Sequence, residues 1–180
     1  MSRAEFEPAV FWCKSDVIEA RLSRVIDDSL ERVWAALTDP QHLVQWLAPG
    51  AIELRLGGAA TLNFADSGIV IDSTVTALEP PHVLEYSWSG PGEPDRPVRW
   101  EIEAAGEQTR LTLTLGVPAN EDAGRACAGW AAHLEMLAAA LAGAPVRFPF
   151  ELFKSARDAY RSQLAAQPQR LVPGEARPAP

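Results

Sequence analysis

The feature that most constrains the fold is a series of short alternating segments followed by one long amphipathic segment. Between residues 51 and 115, six segments alternate apolar and polar side chains and are separated by clusters of Gly, Pro, Asp and Ser. A period of two is typical of strands with one buried face, and short connections make consecutive strands antiparallel. A similar segment, Val17 to Ile26, precedes them. The six predicted strands are 51–56, 59–64, 69–78, 82–88, 98–104 and 109–115.

The alternation gives the predicted sheet one apolar face and one polar face. Glu53, Glu85, Arg99 and Glu101 fall on the polar face. Because an apolar sheet face must be covered, the chain needs an apolar partner for it. The side chains predicted to lie on the apolar face are Ile52, Leu54, Leu56, Leu62, Phe64, Leu84, Tyr86, Trp88, Trp100, Ile102, Leu111, Leu113 and Leu115.

Helical patterns flank the strands. Asp28 stands three residues before Glu31, as in a capping box, and Asp39 followed by Pro40 is typical of a second helix start. A long helix is predicted from about Asn120 to Leu141. Its apolar stripe is formed by Trp130, Leu134, Leu137 and Leu141, so this helix is the expected cover of the sheet. The pattern of apolar side chains in residues 150–166 predicts a final amphipathic helix.

Composition excludes several classes of function. A net charge of −8 and a pI near 4.9 argue against nucleic acid and anionic membranes as partners, since both require clustered Lys and Arg. The sequence has neither a long apolar run nor a signal-peptide pattern. Cys13 and Cys127 form no framework of disulfides or metal ligands, so we predict reduced thiols in a cytoplasmic protein.

Five sequence blocks, in order, carry a resemblance to a known family. The protein resembles the homologues of the activator of heat-shock-protein-90 ATPase, within the START-like or SRPBCC superfamily that includes the birch-pollen allergen and polyketide cyclases. The resemblance implies an α+β helix-grip fold in which about seven antiparallel strands wrap around a long C-terminal helix. The blocks are RVIDDSLERVWAALTDPQHLVQW from residue 24, LGG from 56, LEPPHVLEYSW from 78, TRLTLTLG from 109 and GWAAHLEML from 129.

The resemblance also suggests how the chain divides. We expect the START-like domain at residues 17–143, after an N-terminal extension at 1–16. An additional amphipathic helix is expected within 144–166, and the Pro-rich residues 167–180 are predicted to form a disordered tail.

A curved sheet gripping one helix tends to leave an apolar cavity, and such cavities suit small hydrophobic ligands. Six tryptophans are many for 180 residues, and several of them fall on the predicted inner surfaces. No cofactor or metal site is predicted, because the three histidines lack helical or clustered spacing. The predicted ligand-binding residues are Trp46, Phe64, Tyr86, Trp88, Trp100, Trp130, His133 and Leu137.

Three functions remain open at this stage. The leading hypothesis is a protein that binds a small hydrophobic molecule, such as a lipid, polyketide or aromatic metabolite. The second is a cyclase or hydrolase that uses His133 and Tyr86 as acid and base groups, although the sequence contains no recognised catalytic motif. The third, implied by the family resemblance, is a partner that stimulates a chaperone ATPase. A homodimer is compatible with all three.

Overall fold

Eight strands form one antiparallel sheet in the computed structural model, which describes residues 8–14 and 16–166. Their order across the sheet, in sequence numbers, is 1-2-8-7-6-5-4-3. The strands are β1 (Val10–Lys14), β2 (Val17–Ile26), β3 (Gly50–Ile52), β4 (Ala59–Phe64), β5 (Ile69–Glu79), β6 (Val83–Ser87), β7 (Pro97–Ala105) and β8 (Gln108–Pro118).

Four helices accompany the sheet in the described part of the chain. They are α1 (Leu30–Thr38), α2 (Pro40–Trp46), α3 (Ala123–Leu141) and α4 (Phe150–Ala166). Asp39 caps α2 through Gln41 N, with Pro40 in its first turn, so the predicted start of α2 is confirmed. The cap of α1 is Ser29 rather than Asp28, and α3 begins three residues later than predicted because Asp122 caps it.

The predicted antiparallel sheet of about seven strands is confirmed, and it contains an eighth strand, β1. β1 lies in the segment predicted as an N-terminal extension, and it pairs antiparallel with β2 from Val10 opposite Arg21 to Lys14 opposite Val17. Its sequence, VFWCK, has three consecutive buried residues and therefore lacks the alternation that identifies a half-buried strand. The Phe11 ring meets Tyr160 of α4 at a centroid distance of 6.2 Å, which joins this edge of the sheet to the last helix.

The first of the six predicted strands, 51–56, is shorter than predicted. β3 ends at Ile52, so Leu54 and Leu56 are exposed and their predicted place on the apolar face is wrong. The Glu53 carboxylate accepts hydrogen bonds from Ala59 N at 3.0 Å and from Arg55 at 2.9 Å. These local bonds stabilise a turn in place of further strand pairing.

The inner face of the sheet packs against α3 as predicted. The remaining side chains predicted for the apolar face are buried or half-buried, including Leu62, Tyr86, Trp100 and Leu113. α4 packs on α3, where Gly124 allows Arg161 to approach closely, since a Cβ there would lie 2.7 Å from Arg161 Cγ. The Arg161 guanidinium also donates to the Asp122 carboxylate, with Nε 3.1 Å from Oδ2.

Within the described ranges, none of the helices has the length and apolarity needed to span a membrane. The predicted disordered tail at 167–180 and half of the predicted extension at 1–16, namely residues 1–7 and 15, lie outside the described residues. The division into domains therefore stays a prediction.

Candidate functional site

Seven rings from six different parts of the chain meet between the sheet and α3. We call them the aromatic cluster. Each ring lies within 6.5 Å, centroid to centroid, of at least one other member, and the pairs meet edge to face or tilted. This geometry is the favoured one for aromatic pairs. The members are Trp46, Phe64, Trp88, Trp100, Trp130, His133 and Phe148.

The inner end of the cluster is closed. Trp46 and Trp100 are each 1% exposed, with ring centroids 6.0 Å apart. The Trp46 indole N–H donates to Ala36 O at 2.8 Å, and the Trp100 side chain lies beside the Tyr86 hydroxyl. The Trp46 indole is therefore satisfied by a backbone carbonyl, as a buried polar group requires.

The outer end of the cluster reaches the surface. Trp130 connects the two ends, since its centroid lies 5.5 Å from Trp100 and 4.7 Å from Trp88. Trp88 continues to Phe64 at 5.7 Å, and both are half-buried. A continuous row of rings thus runs from solvent to the core.

His133 is the titratable member of the cluster. Its Nδ1 lies 3.1 Å from Trp46 O, and because a carbonyl oxygen only accepts, the Nδ1–H donates. Nε2 then carries the lone pair of the neutral imidazole, and among the described residues it has no hydrogen-bond partner. Burial lowers the pKa of His133 below its ordinary value of 6.5, so the neutral form is favoured.

Two of the predicted site residues lie deeper than this row of rings. Tyr86 is 1% exposed, and burial raises its pKa to about 12. Leu137 is fully buried in the core one helical turn beyond His133. Both are placed as core residues, and a ligand would reach them only after displacing the rings above.

The space predicted to be a cavity is largely occupied by the residues predicted to line it. Two small cavities adjoin the cluster. One, of about 140 Å³, lies beyond Trp46 among α1, α2 and the end of α3, with Arg32, His42 and Gln45 in its lining. The other, of about 40 Å³, lies beside Trp88 and Trp130. Since sites for drug-sized ligands span roughly 300–1,000 Å³, a ligand of that size would require ring movement.

Two features of this region were not predicted from the sequence. Phe148 follows α3 and lies 5.5 Å from His133, centroid to centroid. Arg96 lines the smaller cavity and makes a bidentate ion pair with Glu121 at 2.7 and 3.0 Å, which raises the arginine's pKa and lowers the carboxyl's. The signal for Phe148 was the density of phenylalanine around Pro149, where α4 begins.

Metal chemistry receives no support from the described residues, in which no three His, Cys, Asp or Glu side chains are grouped as metal ligands.

The architecture defines the class of protein. An antiparallel sheet that wraps one long helix, with an aromatic interior between them, is the helix-grip α+β fold.

The comparison with family models then identifies the family. The chain belongs to the family described as Activator of Hsp90 ATPase homolog 1-like protein, whose model matches residues 27–142, more than half of the sequence. No curated protein sequence matches this chain significantly.

Solved structures show the same fold. CalU16 from Micromonospora echinospora is 21% identical, with a TM-score of 0.73 over 86% of this chain and 96% of its own. The BPP1335 protein from Bordetella parapertussis is 30% identical, with a TM-score of 0.67 over 99% of this chain and 94% of its own. DynU16, from the dynemicin biosynthetic locus, is 28% identical, with a TM-score of 0.65 over 74% of this chain and 50% of its own.

Proposed function

We propose that this protein binds a small hydrophobic molecule, aromatic in part, at the outer end of the aromatic cluster, and that it does so in the cytoplasm. The observation that carries the proposal is the continuous row of rings from half-buried Phe64 and Trp88 to buried Trp100. Exposed aromatic surface joined to an apolar interior favours binding of an apolar ligand.

The half-buried rings are the ones that can move. Among the described residues the Trp88 indole N–H has no hydrogen-bond partner, whereas that of Trp46 donates to Ala36 O. The cavity of about 40 Å³ beneath Trp88 gives its ring adjacent space. Rotation of Trp88 therefore breaks no protein hydrogen bond, and it enlarges the site where it meets solvent.

The chemistry of the cluster supports binding over catalysis. Tyr86, the predicted partner of His133, is fully buried, and burial raises its pKa to about 12. A pKa near the working pH is what a general acid or base requires. His133 is thus left as the titratable side chain of the cluster, and the cyclase or hydrolase alternative rests on it alone. The chaperone-partner alternative rests on the family description.

A tryptophan quenching titration with 4-hydroxybenzophenone tests the proposal. We expect saturable quenching in the wild type and a rise in Kd of about tenfold in Trp88→Leu, because removal of one stacking ring typically costs about 0.5–1.5 kcal/mol beyond lost area. Trp34→Leu is the matched control, since Trp34 is a half-buried tryptophan on α1 outside the cluster.

Recovery of the probe distinguishes binding from catalysis. Native mass spectrometry should return the probe, and any molecule carried through purification, with unchanged mass. Quenching that never saturates, or an equal loss of affinity in both variants, would contradict the proposal. A product whose formation requires His133 would favour the enzyme.

A further inference from the structure

A short connection between α3 and α4 meets the aromatic cluster at His133, whose ring also neighbours Phe64 of the outer end. We call residues 142–149 the strap. At its start Gly143, with φ of +78°, ends α3, and Ala144 N donates to Ala139 O at 2.9 Å. At its end Phe153 N donates to Pro149 O at 2.9 Å as α4 begins. Within the described part of the chain, residues 145–147 make no backbone hydrogen bond.

Phe148 is the strap's inward anchor. Residues 142–147 are exposed, whereas Phe148 is half-buried. Its ring lies 5.5 Å from His133, 5.0 Å from Phe150 and 5.7 Å from Phe153, centroid to centroid. Because the strap lacks backbone bonds in its middle, the contact of the Phe148 ring with His133 is what holds it against the cluster. Segments with few such contacts open locally at a small free-energy cost compared with global unfolding.

We infer that Phe148 occupies the place of a ligand's ring, and that the site takes a neutral phenol-type ring whose hydroxyl donates to His133 Nε2 after the strap is displaced. This inference rests on the proposed binding function and specifies its ligand class. Phe148 is a benzene ring seated edge-on against His133, so the position it leaves accepts a flat ring of the same size.

The polarity of the site determines which substituent fits. The rings that meet His133 are Trp46, Phe64, Trp130 and Phe148, and none carries a charge. A charged carboxylate or ammonium would lose its hydration against these uncharged rings. Since Nδ1–H already donates to Trp46 O, Nε2 offers a lone pair, and a hydroxyl donor matches it.

The strap and the ligand then compete for one position. The apparent affinity is reduced by the fraction of molecules in which the strap is closed. Phe148→Ala removes the competing ring, so we expect 4-cresol to bind this variant about tenfold more tightly than the wild type by calorimetry. Phe150→Ala is the matched control, because Phe150 is 66% exposed and does not meet His133 in any ring contact.

Limited trypsin digestion reports the strap directly, since Arg147 is exposed in its unbonded middle. Saturating 4-cresol should accelerate cleavage after Arg147 about fivefold in the wild type and in Phe150→Ala. In Phe148→Ala cleavage should already be fast and should not respond. Each rate is divided by that of the unfolded chain with the same substitution, because residue 148 follows the cleaved bond. 4-Methylanisole, which lacks the donor, should bind about fivefold more weakly than 4-cresol.

The outcomes separate this inference from the proposed function. If 4-cresol binds the wild type but leaves cleavage at Arg147 unchanged, or if Phe148→Ala and Phe150→Ala bind it equally, the strap does not compete and the inference is overturned while the binding function stands. Equal affinities for 4-cresol and 4-methylanisole overturn the assigned hydrogen bond. If neither 4-cresol nor 4-hydroxybenzophenone binds the wild type or Phe148→Ala, the proposed function fails, and the inference with it.

Discussion

The two ends of the aromatic cluster use the same type of residue for different purposes. At the inner end Trp46 and Trp100 are buried, and the Trp46 indole N–H donates to Ala36 O. At the outer end Trp88 is half-buried, and among the described residues its indole N–H has no partner. Burial together with hydrogen-bond satisfaction thus separates a tryptophan that stabilises the fold from one that is available to a ligand.

The largest expected effect is at the inner end. Trp100→Ala should lower the free energy of unfolding by about 3–5 kcal/mol, because it removes a fully buried ring and leaves a cavity. Glu103→Ala, at an exposed position on the same strand, should change it by no more than about 0.5 kcal/mol. Urea denaturation measures both, and coinciding midpoints would show that β7 presents its other face to the core.

A smaller loss of stability is expected at the outer end. Trp88→Ala should lower the free energy of unfolding by about 1–2 kcal/mol, since only part of the ring is buried and no hydrogen bond is lost. The same denaturation experiment compares it with Trp100→Ala. A loss as large as that of Trp100→Ala would remove the distinction between the two ends and assign Trp88 to the core.

The smallest expected effect is a pH dependence that arises from His133. Burial lowers its pKa in the folded state, so between its ordinary value of 6.5 and that lower value the unfolded chain binds more protons. Stability should therefore be intact above pH 7 and should fall as the pH drops through this window. His133→Gln should reduce that fall, as measured by denaturation midpoints at pH 8 and pH 5. An unchanged pH dependence in His133→Gln would mean that the imidazole is as well solvated in the folded protein as in the unfolded chain.

Local patterns predicted most of the secondary structure. The second strand, Val17–Ile26, and the last helix, Phe150–Ala166, have the predicted bounds, and Asp39 with Pro40 begins α2. These features depend on side chains close together in sequence, namely a strand period, a helix stripe and a cap. The predicted burial of Leu54 and Leu56 was wrong. The Glu53 carboxylate accepts a hydrogen bond from Ala59 N, and this bond stabilises a turn where a strand was predicted.

The candidate site was predictable in its members but not in its arrangement. The alternation along the strands and the periodicity of the helix placed Trp88, Trp100 and Trp130 between sheet and helix. The structure brings their rings together. Tyr86 and Leu137 lie on the same faces of the sheet and helix but deeper in the core. The alternation of side chains along a strand predicts the face of a residue but not its depth. Whether the eight predicted residues bind a ligand stays a prediction.

The sequence by itself determined the fold class, the apolar face of the sheet and the helix that covers it, because those properties repeat along the chain with a fixed period. Only the tertiary structure decided that β1 joins the sheet edge, that the rings fill the interior, and that Phe148 returns to His133 across the strap. Contacts of this kind join side chains from separate elements, and their geometry depends on packing in three dimensions rather than on spacing in sequence.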